Sequence, residues 1–365
     1  MAGTSPAMTP SWVTVSGKSN LQNSHKQGKS TAEHAAAHAL PMPVRLLSGN
    51  DVRSIAPTLP EIVALVEAAY RLEAQGKVEV PTKIGVHPRR DNSLLHAMPA
   101  WVGEIGALGM KWVSYFPGNV ARGLPDLAGV IVLNDPEHGL PCCIMDAAHV
   151  TLLRTAACAA VAAKYLAPRA PRTLGLVGCG RLALWSLRLM SAVFPSLEEV
   201  YVSSRTRGSR EEFCARTSAE GNWRISCVDE PAQAVRGNDI VVTSIPPGAT
   251  RPVSGDAFTP GTLLIPLDVL NSWQDDVLLR ADRIVADNPA HFVAQVRAKR
   301  PGAVAGLKAC VRTQDLVADK SPRAAASERT LIAVCGIAST DVVGGFEVYR
   351  RACAANVGLS FDLGR

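Results

Sequence analysis

Residues 173–193 read TLGLVGCGRLALWSLRLMSAV. A run of strand-forming apolar residues leads straight into Gly178-Cys179-Gly180, and the apolar positions beyond recur at helical spacing. A buried strand that turns through paired glycines into an apolar helix opens a βαβ unit. The sequence downstream keeps the alternation. EEVYVSSR (198–205) reads as a second strand and SREEFCARTSAE (209–220) as a second helix. AQAVRGNDIVVTSIP (232–246) adds a helix end and a strand, and TLLIPLD (262–268) and RIVADN (283–288) add two more strands. Strands alternating with helices imply a Rossmann-type, doubly wound parallel sheet, assigned to residues 169–317.

Upstream the pattern differs. VRLLSG (44–49) is a short strand, and LPEIVALVEAAYRLEAQGKV (59–78) is an amphipathic helix ending near Gly76. KIGVHP (83–88), SLLHAMPAWV (93–102), ALGMKWVSYF (107–116) and GVIVLND (129–135) read as strands separated by turn residues. That spacing predicts a mostly antiparallel sheet. An Ala-rich helix follows in MDAAHVTLLRTAACAAVAAKYLA (145–167), with Asp146 near its start, and APRAPR (167–172) marks a boundary. The expected organisation is an α/β fold: a flexible tail over 1–41, an α+β domain over 42–168, the Rossmann domain over 169–317, and a helical segment over 318–365. The last of these would return its apolar face to the first domain.

Composition bounds the function. Of 365 residues, 47% are hydrophobic and 19% charged, a balance that places the chain among globular proteins. The net charge of +6 is mild and scattered, which argues against nucleic acid as a partner. No run reaches membrane-spanning length, and the first 40 residues lack the apolar core of a signal peptide. Nine cysteines, with neither C-x-x-C pairs nor His at zinc spacing, read as reduced thiols in a cytoplasmic protein without a metal.

Gly178, Gly180 and Ala183 fill a G-x-G-x-x-A turn, with Arg181 and Leu182 between them. The first Gly permits the turn, the second lets backbone approach a pyrophosphate, and the small third residue lets helix and strand pack closely. Such a turn with nothing bound has the same residues; the flanking strands and helix select the dinucleotide. The end of the second strand selects its type. NAD sites usually carry an acid there, whereas this chain has Ser204, Arg205, Thr206 and Arg207. Two cations and two hydroxyls suit a 2′-phosphate, which favours NADP(H), keeps NAD(H) possible and disfavours FAD. The competing reading of the two Arg is a solvated loop.

Lys111 sits inside the otherwise apolar stretch ALGMKWVSYF. Lysine is rarely buried without a partner. Either it snorkels at a strand edge, or its partner arrives from outside as a substrate carboxylate. Arg154 raises the same question on the Ala-rich helix.

GMKWVSYFPGN, GVIVLNDPEHGLP, MDAAHVTLLRTAA, the Gly turn and GIASTD occur in order and spacing that resemble the ornithine cyclodeaminase/mu-crystallin family, from about Pro43 to the C-terminus. That family includes cyclodeaminases, an archaeal type of alanine dehydrogenase, and ketimine reductases. The resemblance implies that Lys111, Arg154 and Lys83 bind a substrate α-carboxylate, with Lys111 beside the nicotinamide. It also implies that Asp268 holds the substrate nitrogen and shuttles its proton, against the alternative of a helix cap. Ornithine-using members have a Glu where this chain has His96, which disfavours a distal ammonium; a core histidine is the bland alternative. Trp101 and Tyr115 are further candidates to shape the pocket, and Trp273 reads as packing.

The reading that results is an NAD(P)-dependent oxidoreductase, an imine or ketimine reductase or amino-acid dehydrogenase, acting at the C–N bond of an α-amino or α-imino acid. A redox-neutral amino-acid cyclodeaminase with recycled NAD is one alternative, and an NADPH-dependent, crystallin-like binding protein is another. The resemblance further implies a homodimer formed through the first sheets.

Overall fold

The computed structural model describes residues 43–88, 93–246 and 250–364. The expected tail over 1–41 lies outside them. Two sheets organise the chain. The first draws on β1 (Val44–Leu47), β2 (Val78–Glu79), β3 (Ile84–Val86), β4 (Leu94–Val102), β5 (Ala107–Tyr115), β6 (Leu127–Asn134) and β7 (Pro141–Asp146). The second is built from β8 (Thr173–Val177), β9 (Glu199–Ser203), β10 (Arg224–Cys227), β11 (Ile240–Thr243), β12 (Leu263–Pro266), β13 (Arg283–Ala286), β14 (Cys310–Arg312) and β15 (Thr330–Ala333). The last strand, β16 (Leu359–Phe361), returns to the first sheet against β1. The helices are α1 (Gly49–Ser54), α2 (Leu59–Ala74), α3 (Ala148–Leu166), α4 (Arg181–Val193), α5 (Arg207–Thr217), α6 (Val277–Arg280), α7 (Pro289–Lys299), α8 (Thr313–Val317) and α9 (Ala338–Ala355).

The first sheet has the order β16-β1-β7-β6-β5-β4-β2, with β3 also on β4, and only β1 and β7 run parallel within it. The second sheet is parallel throughout, in the order β10-β9-β8-β11-β12-β15-β13-β14. The fold is thus α/β, with a mostly antiparallel sheet beside a doubly wound parallel one. Strand order reverses between β8 and β11, where such sheets open a crevice at their carboxyl ends. The Gly178 turn lies at that end of β8.

Two expectations need correction. The stretch after Val317 is not helical throughout: TLIA (330–333) forms β15 and inserts between β12 and β13. Four apolar residues carry no helical or strand period of their own, so only their neighbours decide. The cysteines are not all free thiols either, since Cys214 on α5 and Cys227 on β10 pair as a disulfide. The spacing of thirteen residues gives no hint that a helix and the next strand will align them.

Helix α3 packs against α2, α4 and α9 and touches strands of both sheets, which is why nearly all its Ala, Val and Leu side chains are buried. Helix α9 lies across β4, β5 and β6. No helix among the described residues is long and apolar enough to cross a membrane.

One carboxyl beneath these helices titrates unusually. Glu73, near the end of α2, accepts hydrogen bonds from Gln314 Nε2 (2.8 Å) and Ser339 Oγ (3.4 Å), with Arg312 at 3.7 Å. Burial pushes its pKa up to about 7, with Asp287 adding and Arg312 opposing. Between pH ~4.5 and ~7 the folded chain therefore binds more protons at this carboxyl than the unfolded chain. Stability contributed here is present below that window and falls as pH rises through it. Glu73→Gln should remove this fall, on the order of 2–3 kcal/mol across the window. Urea midpoints of both proteins at pH 5 and pH 8 test it; equal pH slopes would mean that Glu73 ionises normally.

Candidate active site

Strand β5 alternates its side chains, and Lys111 points to the buried face with Ala107, Gly109 and Val113. Its cross-strand neighbours are Met98 on β4 and Ile131 on β6, both apolar. Only 1% of Lys111 is exposed, so snorkelling is excluded. Its partner comes from α9. Lys111 Nζ donates to Asp341 Oδ1 at 2.7 Å, and Asp341 is itself fully buried. Helix α9 can seat this closely because Gly344 and Gly345 face its neighbours. A Cβ on Gly345 would lie 3.0 Å from Ile131 Cγ2, and one on Gly344 would lie 3.1 Å from Val150 Cγ1.

The same Asp341 oxygen takes a second cation. Arg154, on α3, donates from Nε to Oδ1 at 2.8 Å. Its terminal nitrogens Nη1 and Nη2 have no hydrogen-bond partner among the described residues, although Arg154 is buried. Gly336 lies against them with φ +78°, and a Cβ there would stand 2.8 Å from Nη1. Lys83 completes the group: its Nζ donates to Cys335 O at 2.9 Å. Asp287, at the carboxyl end of β13, accepts from the backbone N–H of Cys335 (2.7 Å) and Gly336 (2.9 Å).

Three basic side chains from separate segments thus meet two buried acids, Asp341 shared by Lys111 and Arg154 and Asp287 held by backbone N–H groups. Burial and the neighbouring Arg154 draw the Lys111 pKa down to about 7, against the pull of Asp341. Burial also works against the Arg154 guanidinium, but Asp341 and more distant groups more than offset it. Burial lowers the pKa of Lys83 and raises that of Asp287.

Burial, then Lys83, presses His96 down to about 4, so its imidazole is neutral at pH 7. His291, at the start of α7, is pressed to about 4 by the same two causes, and its Nε2 is buried without a hydrogen-bond partner among the described residues. Asp268 lies beyond β12, at the carboxyl end of the parallel sheet. Thr243 Oγ1 (3.0 Å), Ile245 N (3.2 Å) and Ser272 Oγ all donate to it. Burial raises its pKa in spite of these donors. Its hydrogen bonds do not reach the three cations, so it forms a separate acidic group. Trp273 is buried against Phe258 in the core.

The Gly turn fits a dinucleotide. Gly178 has φ +115°, and a Cβ on it would meet Ser244 O at 2.7 Å. Gly180 caps α4 without a side-chain hydrogen bond and faces open space, so the first N–H groups of α4 are available to a pyrophosphate. Arg181 and Leu182 form its first turn. At the end of β9, three of the four residues expected at the ribose are engaged within the protein. Ser204 Oγ donates to Thr206 O (3.2 Å), Thr206 Oγ1 caps α5 by accepting from Ser209 N (3.3 Å), and Arg207 Nε pairs with Glu211 (2.6 Å). Arg205 is exposed and has no partner among the described residues.

Asp287, Asp341, Gly336 and His291 escaped the reading of the sequence. A usable signal existed for two of them: buried cations demand acids, and Asp341 and Asp287 sit inside the motif GIASTD and at the end of the strand RIVADN.

The family model described as "Ornithine cyclodeaminase/mu-crystallin family" matches residues 45–356. The nodulation efficiency protein NfeD of Rhizobium meliloti is 33% identical over 84% of this chain and 95% of its own length. An alanine dehydrogenase of Archaeoglobus fulgidus is 32% identical over 87% of this chain and 98% of its own. Among solved structures, an archaeal alanine dehydrogenase dimer with bound NAD superimposes with a TM-score of 0.76 at 28% identity, covering 88% of this chain and all of that one.

The free edge of Arg154 yields a prediction. Gly336→Ala would force a Cβ onto Nη1 and a side chain into a left-handed backbone, at about 1–2 kcal/mol of stability. Affinity for a planar carboxylate such as pyrrole-2-carboxylate should fall roughly 10- to 100-fold, the worth of a charge-assisted contact. Affinity for a reduced nicotinamide dinucleotide, read by its fluorescence, should stay unchanged. Unaltered carboxylate binding would show that the guanidinium edge is not the binding surface.

Proposed function

The chain belongs to the ornithine cyclodeaminase/mu-crystallin family, and on that footing we propose that it is a nicotinamide-dependent oxidoreductase acting at the C–N bond of an α-amino or α-imino acid. Reduction of an imine or ketimine is the direction favoured, with NADP(H) ahead of NAD(H). The observation that carries this reading is Arg154, buried but with its terminal nitrogens free of hydrogen-bond partners among the described residues, beside two lysines. A carboxylate is the ligand that such a group selects.

When bound at the Gly178–Ala183 turn, the nicotinamide dinucleotide supplies or takes up the hydride. The residues of the chain do the rest. Arg154 and Lys83 bind and orient the carboxylate, which fixes the adjacent Cα. Lys111, with its pKa near neutrality, and Asp268, with its raised pKa, are the groups able to hold or release the proton that the substrate nitrogen gains or loses. Neutral His96 supports an uncharged part of the substrate rather than a distal ammonium. Arg205 is the cation left free for a 2′-phosphate.

Pairing of two chains is part of the same reading. On the outer face of β5, Leu108, Met110 and Trp112 alternate with the buried residues, and Trp112 is 40% exposed. An apolar sheet face of this kind suits a second copy of the chain.

Purified protein should bind NADPH more tightly than NADH and lose absorbance at 340 nm with Δ1-pyrroline-2-carboxylate or another cyclic imino acid. Arg205→Ala should weaken NADPH binding about tenfold and leave NADH binding unchanged. Lys111→Met and Asp268→Asn should each lower kcat by about 100-fold or more. Ammonia released from a diamino acid at constant absorbance would overturn the reductase in favour of a cyclodeaminase. NADH preference would overturn the phosphate assignment.

A further inference from the structure

The proposed chemistry uses Lys83, Lys111, Arg154 and Asp268 and leaves Asp341 without a part. Yet Asp341 has an unusual geometry. It lies in the first turn of α9, fully buried. Its Oδ1 accepts from both Lys111 Nζ and Arg154 Nε, at 2.7 and 2.8 Å, while Oδ2 is buried with no hydrogen-bond partner among the described residues. Sharing one oxygen pins the ammonium to the Nε side of the guanidinium. That leaves Nη1 and Nη2 turned toward Gly336, the one residue type that does not obstruct them.

We propose that Asp341 is a positioning residue, which keeps Lys111 an ammonium beside Arg154 and aims the Arg154 fork at the incoming carboxylate. This rests on the proposed function in taking the ligand to be a carboxylate and NADPH to bind beside it. The physical case follows from what faces Lys111. Asp341 comes from α9, Arg154 from α3, Lys83 from the segment before β3, and the neutral imidazole of His96 from β4. Met98 and Ile131 on the flanking strands carry no charge. Asp287 is held by the Cys335 and Gly336 backbone and acts on Lys83 and Arg154. Asp341 is therefore the anion on which Lys111 depends. Without it, two buried cations adjoin, and the lysine gives up its proton because the guanidinium does not. Burial already holds Lys111 near neutrality, so a small loss of support moves it across the physiological range.

The test is binding of pyrrole-2-carboxylate to the full-length protein saturated with NADPH, read by NADPH fluorescence from pH 5.5 to 9. It needs no turnover. In the unaltered protein, affinity should fall as pH rises through about 7. In Asp341→Asn the fall should begin at least one pH unit lower, so that affinity at pH 7 drops about fivefold or more while the difference narrows at pH 5.5. Asp341→Glu should restore much of the original profile, and NADPH affinity should change less than twofold. A loss of equal size at every pH, or a parallel loss of NADPH binding, would overturn the proposal in favour of a merely structural acid. Lys111→Met provides the second arm if Asp341→Asn folds poorly. It should flatten the profile on its own; a fall through about pH 7 that survives in Lys111→Met would overturn the route through Lys111. Should no imine or amino acid react while the binding profile behaves as expected, the reductase reading fails and the assignment of Asp341 is supported.

Discussion

The architecture turns on the desolvation of three cations. Stripping water from Lys111 and Arg154 is expensive, and the attraction of a carboxylate recovers that expense only when geometry is close. The chain meets the requirement by bringing together residues 230 positions apart, from β5 and α9, with α3 between them. Each element is shaped for this. Strand β5 turns Lys111 inward, α3 is small-residue-rich enough to lie between the sheets, and paired glycines let α9 settle onto both. Apolar residues of like volume would fill the same space at no thermodynamic disadvantage. Stability alone therefore does not call for such a cluster.

The second sheet carries the Gly turn and Asp268. Its switch point between β8 and β11 presents the Gly turn on one side and the chain leaving β11 on the other. Asp268 is tied to that rim by Thr243 and the Ile245 backbone, both at the end of β11. The acid and the cations therefore sit on different scaffolds, the parallel sheet and the α3–α9–β5 packing. Gly336, which follows β15 and leads into α9, is where the two scaffolds meet, with its N–H on Asp287 and its Cα against Arg154.

Much of this was legible in the residues. The alternation of strand and helix after Thr173, the glycine turn, and a lysine in an apolar strand all have local signatures, and the structure keeps each of them. The parts that were not legible are those that only three-dimensional neighbours define. TLIA has no period that marks it as a central strand. Asp341 and Asp287 look in sequence like ordinary acids near a helix start and a strand end, and their weight comes from what packs on them. At the ribose end, Arg205 and Arg207 are equivalent in sequence, but one lies at i,i+4 from Glu211 and is paired with it. Cys214 and Cys227 likewise become partners only once α5 lies beside β10.

The position of β15 bears on how the protein comes into being during synthesis. Strands β12 and β13 leave the ribosome well before residues 330–333, yet in the finished sheet they do not touch, because β15 lies between them. Until that segment emerges, each presents a bare parallel edge, the kind of surface that invites mispairing. The same late segment continues through Gly336 into α9 and delivers Asp341 to the waiting cations. One late segment thus both closes the parallel sheet and supplies the acid that Lys111 and Arg154 share.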